Sequence, residues 1–460
     1  MSTLIDRALK DATDTTTIVT GPGVVSETGR VFTDTFGGAA CILVADENTW
    51  AIAGPQVQES LQRSGVRLIE PFVFPGVPTL YAGYENVEKL RNHLAGVDAI
   101  ACSIASGTLN DITKLASGEL GRPYLNVCTA ASMDGYAAFG ASITRDGFKI
   151  TRNCPAPAAL VADLAIMASA PKRLTATGYG DLIEKVPGGA DWLVADELGI
   201  EPVDEAVWNL VQPPLVEALS DPDGLAAGDV SAIGKLAEEL ILSGLAMQAH
   251  QSSRPASGAG HNFSHQWEME GHGLDWEPPL SHGNKVGVGT VASCAVYDLL
   301  GGLEVDAVDP HQRAAEWLSP EQNDARIIAL QPLPAIREAA LQQSRDKYVA
   351  SELAVDRVRL IKQHWSAILR RVAPQVMSAA DIADKLRRAG APYHPAQLGI
   401  DLHKLKLTYF QSQTIRSRYT IMDALFELGL LDQVVEALFA PGGYWAETPI
   451  PTEGLLYPKD

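Results

Sequence analysis

The chain has 460 residues, 46% of them hydrophobic and 20% charged, with a formal net charge of −20. That length exceeds one ordinary core, so two domains are expected, and the composition is that of a soluble globular protein. The negative balance argues against nucleic acid or an anionic membrane as partner, and it requires a local basic site for any anionic ligand.

Five apolar runs mark the first third of the chain: residues 17–22, 39–46, 66–74, 97–104 and 125–129. Helix-length amphipathic segments, such as residues 55–65 and 85–94, separate them. Continuous apolar strands alternating with helices predict a parallel sheet covered on both faces, a nucleotide-binding architecture with ligands at the carboxyl ends of its strands. Near residue 155 the apolar spacing turns helical and stays so over residues 160–168, 191–198, 230–250, 291–299, 346–371, 378–389, 395–405 and 420–439. Residues 1–155 therefore read as an α/β domain and residues 156–460 as an all-helical one; residues 306–345 are the least readable. No stretch of 18 apolar residues predicts a membrane span. The opening MSTLIDRALKDATD lacks an apolar signal core, so a cytoplasmic location is expected. The five cysteines, Cys41, Cys102, Cys128, Cys154 and Cys294, show no CxxC pair, which points to buried thiols rather than a disulfide framework or a zinc knuckle.

The segment ASGTLND follows the fourth run and opens a helix through Gly107, Thr108, Leu109, Asn110 and Asp111. Small residues let a backbone approach a phosphate, and a helix start offers oriented N–H groups; an ordinary strand-to-helix turn has the same composition. No GxGxxG follows the first strand. After the fifth run, Thr129, Ala130, Ala131 and Ser132 lead into Asp134, with hydroxyls that can line the same crevice. Asp134 suits a ribose, a substrate hydroxyl, a lysine or a capped turn. Asp46, ending the second run, suits an adenosine ribose or a strand-end turn.

Residues 252–289 carry the densest chemistry. His261 and His265, four apart, share one helix face, and His282 begins a returning helix. Three such imidazoles can converge on one ion, completed by a carboxylate. Asp181, in GYGDLIEK and read as a helix start, supplies one or is an N-cap. Arg254 and Ser257 stand just upstream; a bidentate arginine suits a phosphate or carboxylate, and the same residue also reads as a solvated loop arginine.

These blocks together resemble the metal-dependent sn-glycerol-1-phosphate dehydrogenases, within the wider group of iron-containing alcohol dehydrogenases, glycerol dehydrogenase and dehydroquinate synthase. The resemblance runs from Ile18 to Leu431. It is carried by GTLND, TAASMDGY, GYGDLIEK, SRPASGAGHNFSHQWEM and HGNKVGVGT, with RYT and LGLL near the C-terminus. It implies a Rossmann-like N-terminal domain followed by an all-α domain. It implies one divalent ion (Zn, Ni or Fe) on Asp181, His261 and His282, with Asp134, Asp181 and His265 at the substrate and catalysis resting on Asp181 and His265. NAD or NADP would lie on Asp46, Gly107, Thr108, Leu109, Asn110, Asp111, Thr129, Ala130, Ala131 and Ser132. The activity implied is the interconversion of dihydroxyacetone phosphate and sn-glycerol 1-phosphate by a homo-oligomer that needs neither nucleic acid nor membrane. The chain departs from the family pattern at Ala105 (usually Gly), at Ala138 (usually Ser) and at residues 186–189, VPGG, where a Tyr-Thr-Ala-like run is usual. The last departure keeps another phosphorylated polyol open as substrate. A dehydroquinate-synthase-type lyase on the same fold is the other alternative, and it would reoxidise its nucleotide every turnover.

Overall fold

The computed structural model describes residues 3–145 and 148–457. Its strands are β1 (Thr17–Gly21), β2 (Cys41–Asp46), β3 (Leu68–Phe74), β4 (Ile100–Ala105), β5 (Tyr124–Cys128), β6 (Ala141–Arg145), β7 (Phe148–Arg152) and β8 (Ala159–Asp163). Six of them form one sheet in the order β1-β8-β5-β4-β2-β3, every pair parallel. Side chains alternate between the two faces, as a period of two demands. In β2, Ile42 and Val44 join Leu90, Leu109 and Ile112 on one face, while Leu43 and Ala45 join Phe32, Val57 and Leu61 on the other. With helices on both faces the strands are largely apolar; the buried polar pair Ser103 and Asn126, on neighbouring strands, is satisfied by a 2.7 Å hydrogen bond from Ser103 Oγ to Asn126 Oδ1.

From β2 the chain moves outward to β3 and then returns to lay β4 on the other side of β2. The ends of β2 and β4 thus flank a topological switch point, where open α/β sheets hold their ligands. Asp46 closes β2, and Ala105 closes β4 just before the helix Gly107–Glu119.

Three expectations change. The boundary near residue 155 falls before β8, which lies between β1 and β5, so the sheet extends to Asp163. The helix expected over residues 160–168 is β8 followed by the short helix Leu164–Ser169, because a short apolar run cannot distinguish a buried strand from a helix and Asp163 caps the new helix by accepting from Ala165 and Ile166 N–H. The β6–β7 antiparallel hairpin was not expected at all.

Beyond the sheet the chain is helical. Five helices matter for the site: Lys172–Leu182, Lys185–Glu197, Val230–His250, Ala259–Met269 and His282–Leu299. They are called below the Asp181, Lys185, Ser243, His261 and His282 helices. Trp192, Trp267 and Trp445 sit fully buried in the main core. Buried indoles need hydrogen-bond partners, and the Trp267 and Trp445 N–H groups donate to Thr408 Oγ1 (3.1 Å) and the Tyr409 hydroxyl (2.8 Å). The long helix expected over residues 420–439 breaks at Gly429, whose φ of +75° ends one helix by the left-handed route. Residues 306–345 hold three short helices, Pro310–Ala315, Pro320–Leu330 and Pro334–Asp346, each entered through proline. All five cysteines are buried and free. Among the described residues no helix is long and apolar enough to cross a membrane.

Candidate metal and nucleotide site

Asp181 is the penultimate residue of its helix rather than a helix start. The glycines of GYGD suggested a turn, but Gly178 and Gly180 lie inside the helix and serve close approach. A Cβ on Gly178 would meet Ala131 O at 2.1 Å, and one on Gly180 would meet Gly283 O at 2.4 Å. The Asp181 helix is therefore pressed against both the TAASMD loop and the first turn of the His282 helix, which brings the two halves of the molecule together at one carboxylate.

That carboxylate is fully buried. Asp181 Oδ2 accepts the Asp134 N–H at 3.0 Å, while Oδ1 has no hydrogen-bond partner and lies 3.3 Å from His261 Nε2 and 3.8 Å from His282 Nε2. The three ligand atoms fall within 4.8 Å of one another. A buried carboxylate oxygen without a donor is costly unless a cation compensates it. Burial disfavours the Asp181 anion, but Lys185 and the two imidazoles outweigh it and hold its pKa far below the ordinary value. One carboxylate oxygen and two imidazole nitrogens, with a side left open, are the donor set of a catalytic divalent-metal site, so these residues fit such an ion.

Each of these two histidines has a carboxylate behind it. His261 Nδ1 stands 2.8 Å from Glu184 Oε2, and Glu184 Oε1 accepts the Gly258 N–H at 2.9 Å. His282 Nδ1 hydrogen-bonds Glu268 Oε1 at 2.9 Å. Such carboxylates fix the tautomer, aim Nε2 and raise ligand basicity. Burial lowers the His261 pKa, yet Glu184 and Asp181 reverse this and hold it at about 9. Glu184→Gln is expected to lower metal affinity on the order of 10- to 100-fold with little change in fold, as measured by competition with a chromogenic chelator.

His265 lies one turn along the His261 helix and does not touch Asp181. Its Nδ1 is 3.4 Å from Glu268 Oε2, and its ring stacks on that of His282 at a centroid distance of 5.6 Å. Burial and then the Arg416 charge push its pKa well below the ordinary value, against Glu268, so the ring is neutral. His265, Glu268 and His282 form a second group within 4.8 Å. His272, in the same segment, is turned away, with Nε2 2.7 Å from Leu398 O.

Asp134 is bound to a lysine. Its Oδ2 accepts from Lys185 Nζ at 2.6 Å and from Ser243 Oγ at 3.1 Å, and Lys185 also donates to Asp181 O at 3.1 Å. Lys185 is fully buried; the desolvation that disfavours its charge is outweighed by Asp134 and Asp181, so it stays protonated.

The nucleotide candidates divide. The helix opened by Gly107 and Thr108 starts beside the TAASMD loop, with Ser132 Oγ 3.4 Å from Ser106 Oγ and the Thr129 N–H bonded to Ala105 O. Leu109 is packed in the sheet core. Asn110 accepts from the Tyr124 hydroxyl (2.9 Å), and Asp111 pairs with Lys114 (3.4 Å) while accepting the Ser142 N–H (3.1 Å), so these two side chains hold the scaffold. Thr129, Ala130, Ala131 and Ser132 are buried, and Ser132 N–H donates to the Tyr136 hydroxyl. Asp46 is the N-cap of the helix Glu47–Arg63, in a capping box with Thr49.

The SRPASG arginine is not a ligand-binding group. Arg254 is buried and donates to Tyr419 O (3.0 Å) and Asp191 O (2.7 Å), tying the middle of the Lys185 helix to the turn before the helix Ile421–Leu428. Residues 186–189 are buried in the first turn of the Lys185 helix, where Gly188 abuts Gly258. Sequence reasoning passed over Glu184 and Glu268 as partners of the ligand histidines, although Glu268 lies three residues after His265 on the same helix face. It also passed over Arg416, which bears on His265.

The residue match extends to known proteins. Residues 19–171 match the model of the iron-containing alcohol dehydrogenases. A glycerol-1-phosphate dehydrogenase (NAD(P)+) of Halalkalibacterium halodurans is 38% identical over 257 residues, 55% of this chain and 64% of that protein. The protein of that name in Bacillus licheniformis is 32% identical over 398 residues, 85% of this chain and 83% of the relative. Glycerol dehydrogenase from Schizosaccharomyces pombe, 15% identical, shares the fold with a TM-score of 0.58 over 96% of this chain and 95% of its own. The fold, the convergent Asp181, His261 and His282, and the extent of the match establish that the chain belongs to the glycerol-1-phosphate dehydrogenase family.

Proposed function

We propose that the protein is a metal-dependent, NAD(P)-linked dehydrogenase that interconverts dihydroxyacetone phosphate and sn-glycerol 1-phosphate. The observation that carries this reading is the buried, unpartnered Asp181 Oδ1 facing two imidazole Nε2 atoms, each ring backed by its own carboxylate. When bound, a divalent ion (Zn, Ni or Fe) supplies a Lewis acid at the substrate oxygen, and the nicotinamide supplies an acceptor for hydride.

The chain's own groups do the rest. Asp181, His261 and His282 would hold the ion. His265, neutral and with Nδ1 turned to Glu268, offers Nε2 to the substrate hydroxyl and takes its proton during oxidation, returning it during reduction. Lys185 locks Asp134 beside Asp181, so both the loop that approaches the nucleotide and the ligand carboxylate are fixed before substrate arrives. The helix start at Gly107 and Thr108 lies at the sheet's switch point, a place suited to a pyrophosphate.

A dehydrogenase assay of metal-reconstituted protein over a panel of polyol phosphates tests the reading. Stoichiometric NAD(P)H accumulation on sn-glycerol 1-phosphate supports it; turnover of a phosphorylated sugar acid without accumulation would replace it with a lyase. A homo-oligomer located in the cytoplasm belongs to the same proposal, and light scattering measures the assembly.

Nucleotide choice is assigned to Asp46. One carboxylate oxygen caps the helix Glu47–Arg63 through the Thr49 N–H (2.8 Å), which leaves the group at the strand end to accept a ribose hydroxyl and repel a 2′-phosphate. Asp46→Ala should shift the ratio of kcat/KM for NAD over NADP toward NADP on the order of tenfold or more, and it should lower the thermal midpoint slightly through the lost cap. An unchanged ratio would leave Asp46 as a cap alone.

A further inference from the structure

The His261 helix begins without a cap of its own. Its N-cap is Gly258, which has no side chain to offer, and the first N–H groups of a helix lack an intrahelical partner. Two carboxylates of the neighbouring Lys185 helix supply the acceptors: Glu184, its N-cap, and Asp191, within it. Glu184 Oε1 receives the Gly258 N–H at 2.9 Å and the His261 N–H at 3.4 Å, and Asp191 Oδ2 receives the Ala259 N–H at 2.7 Å. The two acids are seven residues apart in the chain and so share one helix face. Anions placed there also meet the positive end of the helix dipole. Glycine allows the close approach, since a Cβ on Gly258 would meet Asp191 Oδ2 and Gly188 Cα, each at 2.6 Å.

Asp191 reaches further than Glu184. Its Oδ1 accepts the Tyr297 hydroxyl at 2.7 Å and the Ile421 N–H at 2.9 Å. Tyr297 belongs to the His282 helix, about four turns after His282 itself. One fully buried carboxylate therefore holds both helices that carry the convergent imidazoles. Burial pushes the Asp191 carboxyl up to about 6, against its three neutral donors and the Arg254 charge, so it is an anion at neutral pH. A buried anion costs more desolvation than a neutral cap would, and what it gains is direction, through short charge-assisted bonds to two helices at once.

We propose that Asp191 is a positioning residue for the metal site: by holding the start of the His261 helix and the far end of the His282 helix on one carboxylate, it fixes the separation of the two imidazoles that face Asp181. The inference rests on the proposed metal site and adds to it a group that touches neither the ligand side chains nor the substrate. Ala259 lies only two residues before His261, so the Asp191 bond acts close to that ring. His261 Nε2 and His282 Nε2 stand 3.3 Å and 3.8 Å from Asp181 Oδ1. Metal–ligand distances are narrow, and a displacement of about 0.5 Å in either helix is enough to loosen such a site.

Titration of the metal-depleted full-length chain with cobalt(II) tests this, because the visible absorption of the bound ion reports its ligand geometry and chelator competition gives its affinity. Asp191→Asn keeps the volume but turns an amide N–H toward one of the three donors. Tyr297→Phe removes only the arm to the His282 helix. Asp204→Ala serves as the stability control, since it removes an unrelated helix N-cap that accepts from the Ala206 and Val207 N–H groups at 3.0 Å and 3.1 Å. Asp191→Asn should bind cobalt on the order of tenfold more weakly and shift its absorption, as for loss of a group supporting the ligands. Tyr297→Phe should move both readouts in the same direction by less, and Asp204→Ala should lower the thermal midpoint with wild-type affinity and spectrum. Wild-type affinity and spectrum in Asp191→Asn and Tyr297→Phe would overturn the proposal and leave Asp191 as scaffold, as would an equal loss of affinity in Asp204→Ala. If Asp191→Asn does not fold, Tyr297→Phe decides by the same two readouts. A wild type that takes up no cobalt would instead reject the metal reading, and the role of Asp191 with it.

Discussion

His282→Ala is expected to lose bound metal and activity together while keeping its fold. His282 contributes Nε2 to the Asp181 and His261 group and belongs as well to the neighbouring group with His265 and Glu268. An ion in either position therefore depends on it. The residue lies at the exposed start of its helix, with its side chain still 27% accessible, so truncation opens no core cavity. Glu268 keeps His265 as a neighbour, and the Gly283 contact to the Asp181 helix is backbone and unaffected. Loss of a Lewis acid removes several kcal/mol of transition-state stabilisation, which corresponds to a rate loss on the order of 10³ or more. Elemental analysis of the purified variant, with a denaturation curve beside it, provides the check. Full metal occupancy in the variant would reject His282 as a ligand. Glu268 would then be the first replacement to examine, because His272 is committed to Leu398 O.

The sheet was legible because burial on both faces leaves a clear trace: β2, β4 and β5 are largely apolar and are separated by amphipathic segments of helix length. β8 was hidden by the same logic. Its residues ALVAD run without a turn signal into LAIMA, and only the three-dimensional pairing with β1 and β5 separates strand from helix. The β6–β7 hairpin lacked a signal of that kind, since ASITR carries too little apolar weight to stand out.

For the site, spacing on a helix correctly put His261 and His265 on one face, and their ring centroids lie 5.9 Å apart. What spacing could not convey was depth. Asp181, read as the start of a helix, lies near the end of one because its glycines allow helix axes to approach rather than the chain to turn. Arg254, read as a phosphate or carboxylate binder or a solvated loop arginine, is turned into the interior, where its terminal nitrogens donate to two carbonyl oxygens and its Nε lies 3.3 Å from Glu201 Oε2. Arg418, which donates to Ser257 Oγ from 161 residues downstream, is brought there by the tertiary fold and lies beyond the reach of any local pattern.

His265→Ala separates two histidines that the sequence treats as equivalent. An ion held by Asp181, His261 and His282, as proposed, would need an open position for the substrate, so a fourth protein ligand would block the chemistry. The geometry agrees with this division. His261 directs Nε2 at Asp181 Oδ1 from 3.3 Å, whereas His265 makes no contact with Asp181 and has only Glu268 against its Nδ1. Burial and the Arg416 charge keep the His265 ring neutral, the state in which it can accept a proton from the substrate hydroxyl. The variant should therefore retain about one equivalent of metal and its nucleotide affinity, while kcat/KM falls by a factor on the order of 10² or more, as for loss of a positioned proton-transfer group. His261→Ala should instead lose metal affinity first, because it removes Nε2 from the cluster and leaves Glu184 facing a cavity with its charge uncompensated. A metal-free His265→Ala protein would show that His265 is a ligand and that the ion sits nearer Glu268. A fully active, fully metallated one would reduce His265 to a ring stacked on His282 and move the proton to water or another side chain.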